Sequence, residues 1–252
     1  MTLHLISIGL ADERDISVKG LEIIKACSKI YLENFTSLLQ CSKEKLEQFY
    51  GKKITLADRA LSEQGAEKIV EEAKSQEVAF LVVGDTFSAT THIELFRLAK
   101  EKNIPVQVIH NASIFTAVGE TGLQLYNFGK TTSIPFSEKV PNLETPYIVL
   151  KQNLSLGMHT LFLLDLDLEK NQFLTIKEAL QTLEEIEKRK KENLITKNTL
   201  AVACARLGSQ DSLIKAGTFS KLKNINFGKP PYCLIIPGKL HFIEEEMLQL
   251  YA

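Results

Sequence analysis

The sequence lacks an excess of charge of either sign: its 252 residues carry 30 basic and 31 acidic side chains, a formal net charge of -1. No global field therefore favours nucleic acid or an anionic membrane, and neither is expected as a partner. Cysteine is scarce and scattered. The four present, Cys27, Cys41, Cys204 and Cys233, form no Cys-x-x-Cys pair and have no histidine at metal spacing. They read as reduced thiols of a cytosolic protein, which argues against a disulfide framework or a zinc site. No apolar run approaches the roughly 18 residues needed to span a bilayer. The opening MTLHLISIGL has neither the basic start nor the sustained apolar core of a secretory signal. The expectation is a soluble, cytoplasmic protein without tandem repeats or low-complexity segments.

Several catalytic signatures are missing as well. GLQLYNFGKT, at 122–131, ends like a phosphate loop, but six residues separate its glycines where four are required, and Thr131 leads into a strand-like Ser-Ile-Pro instead of a helix. No Gly-x-Gly-x-x-Gly follows a strand, which excludes a Rossmann dinucleotide site and the glycine-rich adenosylmethionine loop. No Gly-x-Ser-x-Gly elbow supports hydrolytic nucleophilic catalysis, and no carboxylate or histidine cluster has metal spacing, so no metal is expected. The histidines, His4, His92, His110, His159 and His241, each stand alone and read as hydrogen-bonded structural residues.

What is present is organised around VAFLVVGDTFSATTH, 78–92. Its apolar run has the length of a strand buried on both faces, the habit of central parallel strands. Around it, strands are expected at 3–9, 29–33, 53–57 and 106–109. Helices are expected after Ser17, carrying Leu21, Ile24 and Ala26 towards the sheet, and over 42–50, 62–74 and 91–102. This alternation predicts a mostly parallel sheet with right-handed crossovers in residues 1–112. Residues 113–252 change character. Strand candidates at 131–135, 160–164, 200–205, 213–219 and 233–236 have fewer helices between them, which predicts antiparallel pairing and a mixed sheet. The fold class is α/β in two domains, 1–112 and 113–252. Thr175-Ile176-Lys177-Glu178 is a capping box opening a helix to about 191. Its Glu184/Lys188, Glu185/Arg189 and Glu187/Lys191 spacings fit a solvated, ion-paired face, the bland reading of the basic cluster 188–191.

Chemistry is expected at strand ends. Gly84 permits a tight turn or a close ligand approach, Asp85 offers a carboxylate, and Ser88 belongs to a cluster of hydroxyls. The bland alternative is that Asp85 or Ser88 only caps the next helix. Other strand ends also carry small or turn-forming residues: Gly9-Leu10, 111–114, Leu164-Asp165 and Leu207-Gly208. A concave site would draw on several of them.

The blocks GDTFSATTH, IHNASI, VGETGLQLYNFGKTTSIPF, GMHTLFLLDL and IIPGKLHFIEEEML, with ISIGLADERDISVKGLEIIKACSKIYLENFTS near the start, together resemble the diphthine synthase family over essentially the whole chain. That family belongs with the tetrapyrrole methylase-like, class III adenosylmethionine-dependent methyltransferases. The resemblance implies two α/β domains with the cofactor in the cleft between them. It also implies repeated methyl transfer from S-adenosyl-L-methionine, leaving S-adenosyl-L-homocysteine, to the amino group of the 3-amino-3-carboxypropyl arm on a histidine of translation elongation factor 2. A homodimer is implied too. Cofactor contacts carry over to Leu10, Asp85, Ser88, Ser113, Ile114, Leu164, Leu207 and Tyr232. Two positions depart from the family: Thr86 stands where proline usually follows Gly-Asp, which is expected to free that turn, and Tyr232 stands where histidine is usual. The long insertion that eukaryotic members carry after the LLD-type strand is absent, which points to the archaeal type, with three methyl groups and diphthine as product. No residue singles itself out as a general base, and alignment of amine and methyl can supply most of the acceleration. The rival readings are a tetrapyrrole or precorrin methyltransferase of the same fold, expected to lack HNASI and GLQLYNFGKT, and a non-catalytic elongation-factor-binding module without affinity for the cofactor.

Overall fold

The computed structural model describes residues 1–61, 65–140 and 143–252, in two compact units, Met1–Ala117 and Val118–Ala252. In the first unit, β1 (Leu3–Ser7), β2 (Lys29–Glu33), β3 (Thr55–Ala57), β4 (Val78–Val82) and β5 (Val106–Ile109) form one sheet in the order β3-β2-β4-β1-β5. Every pairing is parallel. β4 is buried throughout, and its side chains alternate between two cores: Val78, Phe80 and Val82 join one, Ala79 and Leu81 the other. The period of two explains why the segment is apolar at every position.

Helices α1 (Val18–Ala26), α2 (Lys43–Tyr50), α3 (Ala66–Glu72) and α4 (Ile93–Glu101) cover this sheet. Ser17 caps α1 by accepting from Gly20 N. Ile24 is buried as expected, but Ala26 is exposed and Gly20 takes the sheet-facing place, where a Cβ would press on Ile6 and Ile16 at 3.1 Å. The expected start of α3 at Ser62 lies outside the described residues; Ile69, Val70 and Ala73 are fully buried.

The second unit begins after α5 (Ile114–Ala117). Its sheet joins β6 (Thr132–Ile134), β7 (Thr160–Leu164), β10 (Leu200–Ala205), β11 (Leu213–Thr218) and β12 (Tyr232–Ile236) in the order β11-β10-β12-β7-β6. Only the β6–β7 pair is parallel, so the sheet is mixed. The short β8 (Leu166–Asp167) and β9 (Gln172–Phe173) pair separately. α7 (Ile176–Lys190) opens with both halves of the Thr175/Glu178 capping box and buries Ile176, Ala179, Leu180, Leu183 and Ile186. Its acids reach off the helix: Glu184 pairs with Lys223 at 2.7 Å, and Glu187 accepts from Tyr147 Oη and from the amides of 193–195.

Three helices of this unit, α6 (Thr145–Ser155), α8 (Phe219–Leu222) and α9 (Phe242–Leu250), were not marked in the sequence. α6 buries Val149, Leu150 and Asn153 but exposes Ile148, which blurs its apolar stripe. α9 starts on His241, an unusual cap. Among the described residues no helix is long and apolar enough to cross a membrane.

Candidate functional site

In the first unit, five of the sequence-derived site residues follow three adjacent strands at one edge of the sheet: Leu10 after β1, Asp85 and Ser88 after β4, Ser113 and Ile114 after β5. Parallel strands put all these carboxyl ends on the same side, where α/β sheets place ligands. The ends of β1 and β4 are clasped by reciprocal backbone bonds, Gly84 N to Gly9 O at 2.7 Å and Gly9 N to Gly84 O at 3.3 Å. Both glycines have φ of +78°, a region that penalises a side chain. At Gly9 a Cβ would also lie 2.5 Å from Cβ of Asp15, whose carboxylate accepts from Leu10 N and Ala11 N. At Gly84 it would touch Leu10, Ser113 and Ala112 at 3.8–4.0 Å, ordinary contact distances, so the positive φ is what calls for glycine there.

Asp85 is buried, and both its oxygens are engaged. Oδ2 accepts from His110 Nδ1 at 2.8 Å and Asn111 N at 3.2 Å, Oδ1 from Phe87 N at 3.1 Å and Ser88 Oγ at 3.4 Å. Burial opposes its charge, but the His110 bond and the two amides outweigh burial and hold the carboxyl below its ordinary range. The carboxylate therefore organises the 84–88 turn and pins the 110–111 segment to it.

Thr86, expected to free the turn, does the opposite. It is fully buried, its N–H donates to Ser7 Oγ at 2.9 Å, and its hydroxyl lies 2.9 Å from the same oxygen. A proline there could not make the first bond. Asn111 Nδ2 ties the segment further to Ser7 O and Asp15 O. Ser113 is buried and opens α5, its carbonyl accepting from Thr116 N and Ala117 N. Asn111 belongs to a strand end marked in the sequence, whereas Ser7 and His110 were not marked as site residues: a serine inside a strand and a solitary histidine carry no spacing signal.

Further along the same edge, His92 and Glu33 are fully buried side by side, with Nε2 and Oε2 3.9 Å apart. His92 Nε2 has no hydrogen-bond partner, and the ring packs edge-on against Phe35 and Phe80. Burial pushes His92 down to about 4 and Glu33 up, while Glu33 accepts from Thr36 N and Oγ1. The 3.9 Å gap leaves them without a direct hydrogen bond, and burial disfavours the charged form of each.

In the second unit, the other three residues also share an edge. β12 runs antiparallel to β10 and β7, so its first residue lies beside their ends: Tyr232 pairs with Ala205, and Cys233 with Leu163. Leu164, Leu207 and Tyr232 are thereby brought together at that edge, Leu164 and Tyr232 half-buried against the core and Leu207 buried. Burial raises the Tyr232 phenol, which donates to Gly228 O. Arg206, which the sequence did not single out, fastens this edge. Its guanidinium bonds Asp211 Oδ2 and O at 2.8 Å, Phe227 O at 2.9 Å and Lys229 O. Among the described residues no group of three or more metal-ligating side chains occurs.

Residues 2–223 match the family described as Tetrapyrrole (Corrin/Porphyrin) Methylases. The chain is 47% identical over 250 residues to the diphthine synthase of Methanocaldococcus jannaschii, covering 98% of this chain and 97% of that protein. It is 43% identical over 268 positions to the diphthine methyl ester synthase of Dictyostelium discoideum, covering 100% and 98%. Because this chain has 252 residues, at least 16 positions of the latter have no counterpart here. A crystal structure of diphthine synthase superimposes with a TM-score of 0.91 at 37% identity, covering 100% of this chain and 96% of that one.

Proposed function

The chain belongs to the diphthine synthase branch of the tetrapyrrole (corrin/porphyrin) methylase family, and from that premise we propose that it methylates elongation factor 2 in diphthamide biosynthesis. In this reading S-adenosyl-L-methionine is the methyl donor. The acceptor is the amino group of the 3-amino-3-carboxypropyl arm on the factor's histidine, and the enzyme is a homodimer of the cytoplasm. The carrying observation is near end-to-end similarity, above 40% identity, to enzymes named for diphthine synthesis. The archaeal relative aligns almost without gaps while the Dictyostelium protein has the extra positions, which supports three transfers and diphthine as product.

The residues fit the donor chemically. Leu10, Ile114, Leu164, Leu207 and Tyr232 offer apolar faces suited to an adenine and a thioether. Ser88, Ser113 and the segments pinned by Asp85 offer polar groups suited to a ribose and an amino acid end. When bound, the donor supplies a methyl group made electrophilic by a sulfonium. The chain's part is to hold that methyl and the acceptor nitrogen in line at roughly 3–3.5 Å, which alone lowers the barrier by several kcal/mol. The rigid clasp of Gly9 and Gly84 and the saturated Asp85 serve that positioning.

The test is mass spectrometry of elongation factor 2 carrying the precursor arm, after incubation with this protein and the donor. A gain of three methyl groups is the expected result. Four would move the chain to the ester-forming type, and none would overturn the reading. Calorimetric titration with S-adenosyl-L-homocysteine separates an enzyme from a mere docking module, since no heat at high concentration removes the methyltransferase.

A further inference from the structure

An ammonium has no lone pair and cannot attack a methyl group, so on the proposed reading the acceptor nitrogen gives up one proton before each transfer. We infer that His110 takes that proton, with Asp85 as the positioning residue that fixes its tautomer. The inference rests on the methyltransferase reading and adds to it a base that orientation alone does not provide.

The geometry is that of a carboxylate–imidazole dyad at the ligand edge of the first sheet. Asp85 Oδ2 lies 2.8 Å from His110 Nδ1. The carboxylate is held ionised by the amides of Phe87 and Asn111, so it can only accept. Nδ1 therefore carries the hydrogen and the Nε2 lone pair is left for acid–base work, the arrangement by which an aspartate orients a histidine base in acyl-transfer triads. The His110 side chain is 66% exposed, and its ring rests against Phe87 at 6.3 Å. No other hydrogen bond engages the ring among the described residues, and Asp85 is the charged group in contact with it. The remaining imidazoles are placed for other work. His4 binds Glu77 and Gln107 near the opposite end of β1, His92 is sealed beneath the site, His159 is buried against Glu244, and His241 caps α9.

The balance is simple. The ammonium passes a proton to Nε2, Asp85 stabilises the imidazolium, and water removes the proton. The freed amine then forms its nitrogen–carbon bond as the carbon–sulfur bond breaks with its electron pair on sulfur. The cycle ends when the nitrogen has no hydrogen left to give.

His110→Asn separates the base from a clasp, because an amide can still donate to Asp85 but cannot take the proton. In the full-length variant, affinity for S-adenosyl-L-homocysteine is expected to stay within about threefold of wild type. Single-turnover methylation of elongation factor 2 near pH 7 is expected to fall about 10²–10³-fold. The deficit should close as pH rises towards the amine's own pKa, and free imidazole should restore part of the rate in His110→Ala. A rate within threefold of wild type with an unchanged pH profile overturns the proposal. So does a parallel fall in affinity and rate with that profile intact, which would leave His110 a clasp. Nitrogen NMR of histidine-labelled protein gives a check independent of turnover: hydrogen on Nδ1 is expected, and hydrogen on Nε2 at neutral pH overturns the assignment. Wild type that transfers no methyl would instead sink the proposed function itself.

Discussion

Ser7 sits under the site as a hub that no spacing rule would single out. Its hydroxyl meets Thr86 N and Thr86 Oγ1, both at 2.9 Å, and its carbonyl accepts from Asn111. Ser7→Ala strands the buried Thr86 N–H without an acceptor, a change expected to cost about 1–3 kcal/mol. Denaturant unfolding checks it, and a loss below about 0.5 kcal/mol would mean that the turn rearranges to find another acceptor. Asp85 was legible in the sequence because a carboxylate after Gly at the end of an apolar run is chemically conspicuous. Its partners were not: Ser7 and His110 lie 78 and 25 residues away along the chain, and only the strand order brings them to it.

Among elements, α7 is the one whose start the sequence announced most fully. Thr175 Oγ1 accepts from Glu178 N, and the Glu178 carboxylate accepts from Thr175 N. Thr175→Ala is expected to lower stability by about 0.5–2 kcal/mol with the site edges unaltered. The readout is a shifted unfolding midpoint beside unchanged S-adenosyl-L-homocysteine affinity, and a lost affinity would tie α7 to the site. α9 was missed because its local capping box is built on His241, a residue that gives no helix-start signal, although the box is reinforced from far along the chain. Glu244 Oε1 accepts from Gln124 N at 2.8 Å and lies 3.0 Å from His159 Nε2, while Gly238 N donates to His159 Nδ1. Sequence blocks that carried the resemblance, GLQL, GMHT, IIPG and IEEE, thus meet at one buried histidine–glutamate pair. Burial opposes the Glu244 charge, but the amides of His241 and Gln124 and the His159 bond hold its carboxyl below the ordinary range.

Across the whole molecule, the parallel first sheet was legible because helices alternate regularly with its strands, and the mixed second sheet because that alternation weakens after residue 112. Strand order was not, since pairing partners leave no local mark. One acid response follows from the first unit. His92 titrates near 6.5 when unfolded and about 4 when folded, so the unfolded chain binds its proton first. Stability is full above about 6.5 and declines as pH falls towards 4, by about 2 kcal/mol between pH 7 and pH 5. The raised carboxyl of Glu33 acts in the opposite sense, so the comparison is with His92→Asn, whose loss over that interval should be smaller. Equal losses would show that His92 is charged in the folded protein.

The place of β1 in its sheet also sets a timetable for synthesis. Leu3 pairs with Val78 on one side and Val106 on the other. The first strand made is therefore without partners until β4 emerges, a wait of about 4–15 s at roughly 5–20 residues per second. The second sheet differs, because strands made in succession pair there, β6 with β7 and β10 with β11, and can do so as they appear. An unfinished chain released before β4 exposes to chaperones an LHLIS segment that is buried throughout in the finished fold, and ribosome-bound chains with β4 still inside or already clear of the ribosome should differ sharply in protease resistance over residues 3–7.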